Sequence, residues 1–223
     1  MREYYILGLL AMSLNIVQAQ TISGQISGHD YVDLGLPSGN LWATNNVGEK
    51  SPTDYGSYYA WGETFVKSNY SWSSYKWCDG NENSLTKYCF QENNGAVDSL
   101  KEITTYDDVV TIEWGEGWRL PTREEIEELI GGCTWVWEND YKGSGIAGRF
   151  GISNSNRNTI FFPAAGFCDS TVCLEKGVNG YYWSSSINIP YSMTAIDLVV
   201  SKPYLDYRNF ERYYGLPVRA VSK

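Results

Sequence analysis

The sequence contains very little histidine. Among 223 residues there is one, His29, which follows a Gly/Ser-rich stretch and stands beside Asp30. Catalysis by a Ser-His-Asp or Cys-His arrangement needs an imidazole with positioned partners, and histidine-rich zinc sites need several. The sequence therefore excludes these classes, and we expect His29 to be a surface residue without a catalytic role.

Basic runs and long apolar runs are also missing. The chain has 17 Lys and Arg against 26 Asp and Glu, which gives a net charge of -9. Such a surface repels phosphate backbones, so nucleic acid is excluded as a partner. Beyond the N-terminal segment no stretch approaches the ~20 apolar residues that a membrane span requires, so no span is predicted.

The first nineteen residues have the pattern of an export signal. Arg2 is followed by an apolar run over residues 4–14 and by Val17-Gln18-Ala19, so we predict a signal peptide at 1–19, cleaved after Ala19. The mature protein is then secreted, periplasmic or located at the cell surface. Residues 20–29 are predicted to be a flexible lead-in, and 30–223 to form a single domain.

Five cysteines leave one unpaired in any scheme. For an oxidising compartment, short loops favour the disulfides Cys78–Cys89 and Cys168–Cys173, with Cys133 a buried free thiol behind a helix. Sequence does not determine connectivity. Pairs beyond disulfide reach would make all five cysteines small apolar core residues.

A helix is predicted to begin at Thr122, because Thr122 and Glu125 form a capping box and apolar residues then recur with helical spacing. The helix is expected to end at Gly131-Gly132. Seven residues around this helix and in the later strands are expected to be structural: Trp114, Trp118, Arg119, Pro121, Thr122, Glu125 and Trp183.

The remaining pattern predicts a short helix within 104–114 and a series of strands. A hairpin is expected over 31–43, around a Pro-Ser-Gly-Asn turn, and a turn over 154–158. The other predicted strands are 134–137, 143–151, 159–166, 181–186, 194–200 and 216–221. This order of elements indicates an α+β fold in which a few helices precede an antiparallel sheet.

Aromatic residues are abundant, with nine Trp and eighteen Tyr. Residues 68–95 lack periodicity and are predicted to be a long surface loop. Its rings can stack on sugars or bury in a partner while polar neighbours form hydrogen bonds. The predicted ligand-binding residues are Tyr70, Trp72, Tyr75, Trp77 and Asn81. The alternative is that Trp72 and Trp77 fold beneath the loop and pack it down.

Several segments, in this order, resemble the Fibrobacter succinogenes major paralogous domain family of exported proteins from Bacteroidetes and related bacteria. They are 31–42, 61–63, 114–125, 133–135, 161–166, 180–186 and 215–221. The resemblance spans nearly all of the predicted mature chain. It implies a C-type-lectin-like fold, with short helices packed on a twisted antiparallel sheet and long irregular loops, and it implies no activity.

Two cofactor hypotheses follow from local motifs. Cys168 and Cys173 have the spacing of the copper-binding pair in formylglycine-generating enzymes, but residues 163–167 depart from that family, so a disulfide or two inert thiols is favoured. Asp79, Asn81 and Asn83 resemble the opening of a calcium loop. The positions that require Gly and Glu are Ser84 and Phe90, so a solvated turn is favoured and no cofactor is expected.

The sequence therefore predicts a non-catalytic, exported binding or adhesion module that recognises a glycan or a cell-surface protein through loop aromatics. Two alternatives remain open. One is a copper-dependent oxidase that resembles formylglycine-generating enzymes and uses Cys168 and Cys173. The other is a structural domain of a surface assembly.

Overall fold

The structure is a computed structural model that describes residues 19–223. The predicted signal peptide, apart from Ala19, lies outside these residues. No helix within 19–223 is both long enough and apolar enough to cross a membrane.

Short strands dominate the described chain, and two α-helices lie in its middle. The helices are α1 (Val109–Trp114) and α2 (Arg123–Gly132). The strands are β1 (Gly24–Ile26), β2 (His29–Asp33), β3 (Leu41–Asn46), β4 (Trp118–Arg119), β5 (Cys133–Glu138), β6 (Gly148–Ser153), β7 (Thr159–Pro163), β8 (Phe167–Asp169), β9 (Val172–Leu174), β10 (Asn179–Ile187), β11 (Thr194–Ser201), β12 (Leu205–Glu211) and β13 (Arg219–Ser222).

The strands form antiparallel sheets. A five-stranded sheet has the order β1-β2-β3-β13-β4, so the last strand pairs with strands from the start and middle of the chain. Two three-stranded meanders, β5-β6-β7 and β10-β11-β12, and the hairpin β8-β9 complete the set. With two short helices, the architecture is mostly antiparallel β within the α+β class.

Most of the predicted elements are present. The predicted hairpin is β2–β3, and the predicted strands at 134–137, 159–166, 181–186 and 194–200 correspond to β5, β7, β10 and β11. The strand predicted at 143–151 is displaced to β6. Gly143 and Gly145 have φ of 76° and 78°, a left-handed conformation that no strand accommodates.

The N-terminal segment is ordered, so the prediction of a flexible lead-in at 20–29 is wrong. Strand β1 pairs with β2 across Ser27 and Gly28, both of which have positive φ (50° and 84°). Two such residues form the tight turn that joins twisted antiparallel strands, and Gly adopts this conformation without strain. Upstream, the Gln20 side chain accepts from Phe161 N (2.7 Å) and donates to Thr44 O (2.9 Å).

Helix α2 begins with a capping box. Thr122 Oγ1 accepts from Glu125 N, and the Glu125 carboxylate accepts from Thr122 N (2.8 Å). Arg119 donates to the same carboxylate from two nitrogens and lowers the pKa of Glu125 against the opposing effect of burial. Ile126 and Leu129 are buried beneath the helix. Strand β4, the capping box and the apolar face of α2 thus form one structural unit.

Four tryptophans, Trp42, Trp61, Trp118 and Trp183, are almost completely buried. Their indole N–H groups are costly to bury without an acceptor. Trp118 donates to Ile26 O, Trp183 to Tyr59 O and Trp61 to Ser184 O. The bonds of Trp61 and Trp183 connect the meander β10-β11-β12 to the irregular part of the chain, and the Trp118 bond joins β4 to β1 within the five-stranded sheet. The Trp42 indole has no acceptor among the described residues.

Residues 47–108 contain no α-helix or named strand, yet the segment predicted as a surface loop at 68–95 is largely packed. Tyr88 and Cys89 are fully buried within it. Arg212, also buried, donates to the carbonyls of Lys87, Tyr88 and Ser192 and to the Tyr75 hydroxyl. A guanidinium satisfies several carbonyls at once, so this residue holds an irregular backbone in a dry interior.

Candidate functional site

The predicted binding loop does not present its tyrosines to solvent. Tyr70 and Tyr75 are only 4% and 3% exposed. Their hydroxyls donate to the carbonyls of Tyr58 (2.6 Å) and Trp61 (2.7 Å). The assignment of these two tyrosines as ligand-binding residues is wrong, because the apolar rings and polar hydroxyls both find partners in the interior.

The two loop tryptophans have different surroundings. The Trp77 indole donates to Gly62 O (2.7 Å), and the ammonium groups of Lys76 and Lys87 lie 4.1 and 4.8 Å from its ring centroid. The two ammonium groups thus lie where a ligand would have to approach the Trp77 ring. Trp72 packs instead on Tyr213, with ring centroids 5.2 Å apart. Both tryptophans are partly buried, and only Trp72 continues into a larger aromatic surface.

The segment suggested as a calcium loop is a hydrogen-bonded turn. Asn81 Oδ1 accepts from Asn83 N (3.0 Å), and Ser84 Oγ accepts from Asp79 N (3.0 Å). Asn83 Oδ1 accepts from Asn94 Nδ2. Within residues 19–223 no group of three or more His, Cys, Asp or Glu is arranged to hold a metal ion. Asn81 takes no part in the aromatic contacts that Trp72 makes.

The cysteines separate into one disulfide and three buried thiols. Cys168 and Cys173 are bonded across β8 and β9, so neither sulfur is the free thiolate that copper binding requires. The predicted Cys78–Cys89 disulfide is wrong: Cys78 Sγ lies 3.1 Å from Trp72 O and Cys89 Sγ lies 3.2 Å from Gln91 O. Burial raises the pKa of the Cys133 thiol to about 12.

Six partly exposed aromatic side chains form a continuous surface, which we call the aromatic strip. They come from the packed loop, from β8, β10 and β12, and from the turn after β12. The strip consists of Trp72, Phe167, Tyr181, Phe210, Tyr213 and Tyr214.

The register of the meander creates most of the strip. Tyr181 on β10 is opposite Val199, and Phe210 on β12 is opposite Ala195. Directly opposed residues share a face of a sheet, so Tyr181 and Phe210 project from the same face. Phe167 from the neighbouring hairpin packs edge-on against both rings, at 5.5 and 5.1 Å.

The rings follow one another without a gap. From one end to the other, the centroid distances are 5.0 Å for Tyr181–Phe210, 4.8 Å for Phe210–Tyr214, 4.2 Å for Tyr214–Tyr213 and 5.2 Å for Tyr213–Trp72. Because each ring supports the next, the surface is preorganised. Large rigid rings lose little conformational entropy when they bind a ligand.

Carboxylates and hydroxyls border the strip. Glu175 Oε2 accepts from the Tyr181 hydroxyl (2.7 Å) and from Asn179 Nδ2 (2.8 Å). Burial is the main cause that raises the pKa of Tyr213, and the Tyr214 hydroxyl and Glu211 raise it further. The tyrosine hydroxyls are therefore protonated at neutral pH. The site combines apolar ring surface with hydrogen-bond donors and acceptors at its edge.

A buried carboxyl lies on the same sheet face as Tyr181 and Phe210. Asp197 is opposite Trp183 on one side and Arg208 on the other, and it is 0% exposed. Neither of its oxygens has a hydrogen-bond partner in another of the described residues. Burial raises the pKa of Asp197 to about 8, against the smaller opposing effects of its own backbone N–H and of Arg208. At neutral pH this carboxyl is therefore largely uncharged.

Sequence reasoning identified Trp72 and missed the rest of the strip. The available signal was the aromatic density of residues 204–214, which contain Tyr204, Tyr207, Phe210, Tyr213 and Tyr214. The strand β12 within this stretch was not predicted, because Leu205–Glu211 alternates imperfectly and is rich in charge. Without that strand, no face of a sheet could be assigned to its rings.

Comparison with known proteins gives no further guide to the site. No protein-family model, curated protein or solved structure matches the chain. Function resides in the chemistry of a site rather than in a fold, so the strip and its border are the basis for a functional proposal.

Proposed function

We propose that the protein is a non-catalytic binding module that recognises a glycan through the aromatic strip. The observation that carries the proposal is the unbroken row of rings from Tyr181 to Trp72, spaced at 4.2–5.2 Å. Sugar rings present apolar C–H faces that stack on aromatic rings. A row of this length suits an oligosaccharide better than a single sugar.

The polar border supports a glycan rather than a purely apolar ligand. Glu175 is held in place by two donors, and Asp169 and Glu211 lie close enough to Tyr213 and Tyr214 to raise their pKa values. Carboxylates accept hydrogen bonds from sugar hydroxyls, and charge-assisted bonds are the stronger ones. The ligand is expected to be neutral, because these acidic side chains disfavour an anionic polymer.

A glycan-array screen of residues 20–223 tests the proposal, with calcium and with chelator. Wild type is compared with the double variant Tyr213→Ala/Tyr214→Ala, which removes the middle of the strip. Tyr106→Ala is the matched control, since Tyr106 is 86% exposed and lies outside the strip. Binding that is lost in the double variant and kept in the control supports the proposal. Equal binding by all three proteins contradicts it.

The fold and compartment are part of the same proposal. We infer a C-type-lectin-like domain related to the Fibrobacter succinogenes major paralogous domain family. The support is the set of antiparallel sheets, the two short helices and the long irregular stretch at 47–108. Export is supported by the leader pattern and by the disulfide Cys168–Cys173, a bond typical of oxidising compartments. N-terminal sequencing of the exported protein is expected to begin at Gln20.

A structural role in a surface assembly is the second candidate, and one observation favours it. All three residues of strand β9 are exposed, with Val172 and Leu174 at 53% and 43%, and within residues 19–223 the strand pairs with β8 alone. An open apolar edge is able to pair with another chain. Sedimentation velocity distinguishes the two candidates. If the protein forms polymers at high concentration and Val172→Lys abolishes them, assembly is favoured. If it is a monomer at all concentrations, the binding module is favoured.

A further inference from the structure

A cavity lies away from the aromatic strip, between the β1–β2 hairpin and the end of α1. Its volume is about 480 Å³, which is in the range of small-molecule sites. Charged and aromatic residues on its walls are His29, Asp30, Glu49, Lys50, Glu113 and Trp114. None of them belongs to the strip, so a ligand in this cavity would bind independently of the proposed glycan.

One wall of the cavity is a pair of stacked rings. His29 and Trp114 lie 3.8 Å apart at an interplanar angle of 11°, and Trp118 packs edge-on against both. His29 is therefore a structural part of the wall, contrary to the expectation of an isolated surface residue. Burial lowers the pKa of His29, and Asp30 opposes this only in part. The imidazole is neutral at neutral pH and adds no positive charge.

The other walls carry an excess of negative charge. Asp30, Glu49 and Glu113 line the cavity with one cation, Lys50. Among the described residues none of these three carboxylates forms a salt bridge. Two of them are nevertheless positioned: Glu113 accepts from the Tyr59 hydroxyl (2.7 Å) and Asp30 from Gln25 Nε2 (2.6 Å). The cavity thus holds two oriented carboxylates, and its three negative charges exceed the single positive charge of Lys50.

The arrangement fits an organic cation better than a metal ion. The carboxylates and His29 are too far apart to hold a metal, since residues 19–223 contain no group of three or more such ligands. They instead surround a volume large enough for a ligand of several heavy atoms. An ammonium group gains both from carboxylates and from the face of an aromatic ring.

We propose that this cavity is a binding site for an organic ammonium ion. The charged nitrogen lies near Glu49 and Glu113, and the carbon skeleton lies along the His29–Trp114 wall. The negative net charge of the chain, -9, raises the local concentration of such cations at low ionic strength.

The single histidine allows a direct test on protein without a histidine tag. NMR resonances of the His29 ring report only on this cavity, because the chain contains no other imidazole. The probes are glucosamine and glucose, which share a ring and differ in the amine, at constant ionic strength. A saturable shift of the His29 signals with glucosamine and none with glucose is expected. Unmoved signals, or equal shifts with both sugars, overturn the proposal.

Variants that remove one carboxylate charge test whether glucosamine binds at the carboxylates of this cavity. Glu49→Gln and Glu113→Gln each keep the shape of the side chain, and the amide introduced by Glu113→Gln still offers an oxygen to the Tyr59 hydroxyl. Each is expected to weaken glucosamine binding about fivefold, the size of an exposed ion-pair contribution. Glu92→Gln is the matched control, since Glu92 is exposed and does not line the cavity. Equal affinity in all three variants would show that the cavity carboxylates do not bind the amine.

Discussion

Asp197→Asn is expected to stabilise the protein at neutral pH. Asp197 is completely buried on β11, opposite Trp183 of β10 and Arg208 of β12, and neither carboxyl oxygen has a partner in another of the described residues. Burial moves its pKa from an ordinary 3.8 to about 8. The asparagine amide has nearly the same shape and cannot ionise, so the variant removes the titration and leaves the packing unchanged.

The sign of the pH dependence of stability follows from the protons that Asp197 binds in the folded and unfolded states. Between pH 4 and pH 8 the unfolded chain has lost the proton of Asp197 and the folded chain retains it. Stability therefore falls as pH rises through this window, by up to about 1.4 kcal/mol per pH unit. At pH 7 the cost relative to an uncharged residue amounts to roughly 4 kcal/mol, and it levels off above the folded pKa.

Urea unfolding of wild type and Asp197→Asn across pH 4 to 9 measures this difference. The variant is expected to have nearly the wild-type free energy of unfolding at the acid end and an increasing advantage toward pH 8. Asp206→Asn is the matched control, because Asp206 is an exposed aspartate on the neighbouring strand. A difference between Asp197→Asn and wild type that is constant with pH would refute the reasoning, since both proteins share every other titrating group.

Three further predictions concern the framework of the fold. Thr122→Ala removes the capping box of α2 and is expected to lower the unfolding free energy by about 1 kcal/mol. Thr122→Ser keeps the capping hydroxyl and is expected to leave the unfolding free energy unchanged. Equal losses of unfolding free energy in the two variants would contradict the capping role. Arg212→Met removes the donor from three backbone carbonyls, two of them in buried hydrogen bonds. It is expected to lower the unfolding free energy by more than about 3 kcal/mol in chemical denaturation, whereas Arg208→Met, at an exposed arginine, is expected to change it little. Thiol titration of the unfolded, unreduced protein is expected to find three thiols, and five after reduction. Five thiols before reduction would show that the disulfide is absent. Opening the Cys168–Cys173 loop is expected to lower the unfolding free energy by about 2 kcal/mol.

The sequence predicted elements whose signals are local. The capping box at Thr122 and Glu125, the hairpin β2–β3 and the strands with strong β-branched or aromatic content are all set by neighbours in the chain. The short loop of Cys168–Cys173, with a sequence separation of 5, made that disulfide a favoured pair. Short-range chemistry is sufficient for such features, because the interacting groups are already close in the unfolded chain.

Features that depend on distant partners were not predicted. The Tyr75 hydroxyl accepts a hydrogen bond from Arg212, which lies 137 residues later in the chain. The Tyr70 backbone pairs with the backbone of Ser170. The ordering of β1 depends on β2 and on a Ser-Gly turn that also resembles a linker. The aromatic strip joins Trp72 to Tyr213, and only the fold brings these residues together. Binding through aromatic residues remains a prediction, and the positions of the rings on the surface required the tertiary structure.

The measurement that tests the proposed glycan site most directly compares Trp72→Ala with Trp77→Ala. Both tryptophans come from the same loop and both are partly buried, but only Trp72 lies in the aromatic strip. Unfolding transitions first show that both variants are folded. Isothermal titration calorimetry with the oligosaccharide that binds best then compares the affinities of Trp72→Ala and Trp77→Ala. We expect a loss of affinity of roughly 5- to 30-fold for Trp72→Ala, from about 1–2 kcal/mol of lost ring contact, and wild-type affinity for Trp77→Ala. The reverse order, or wild-type affinity in both variants, would contradict recognition through the strip.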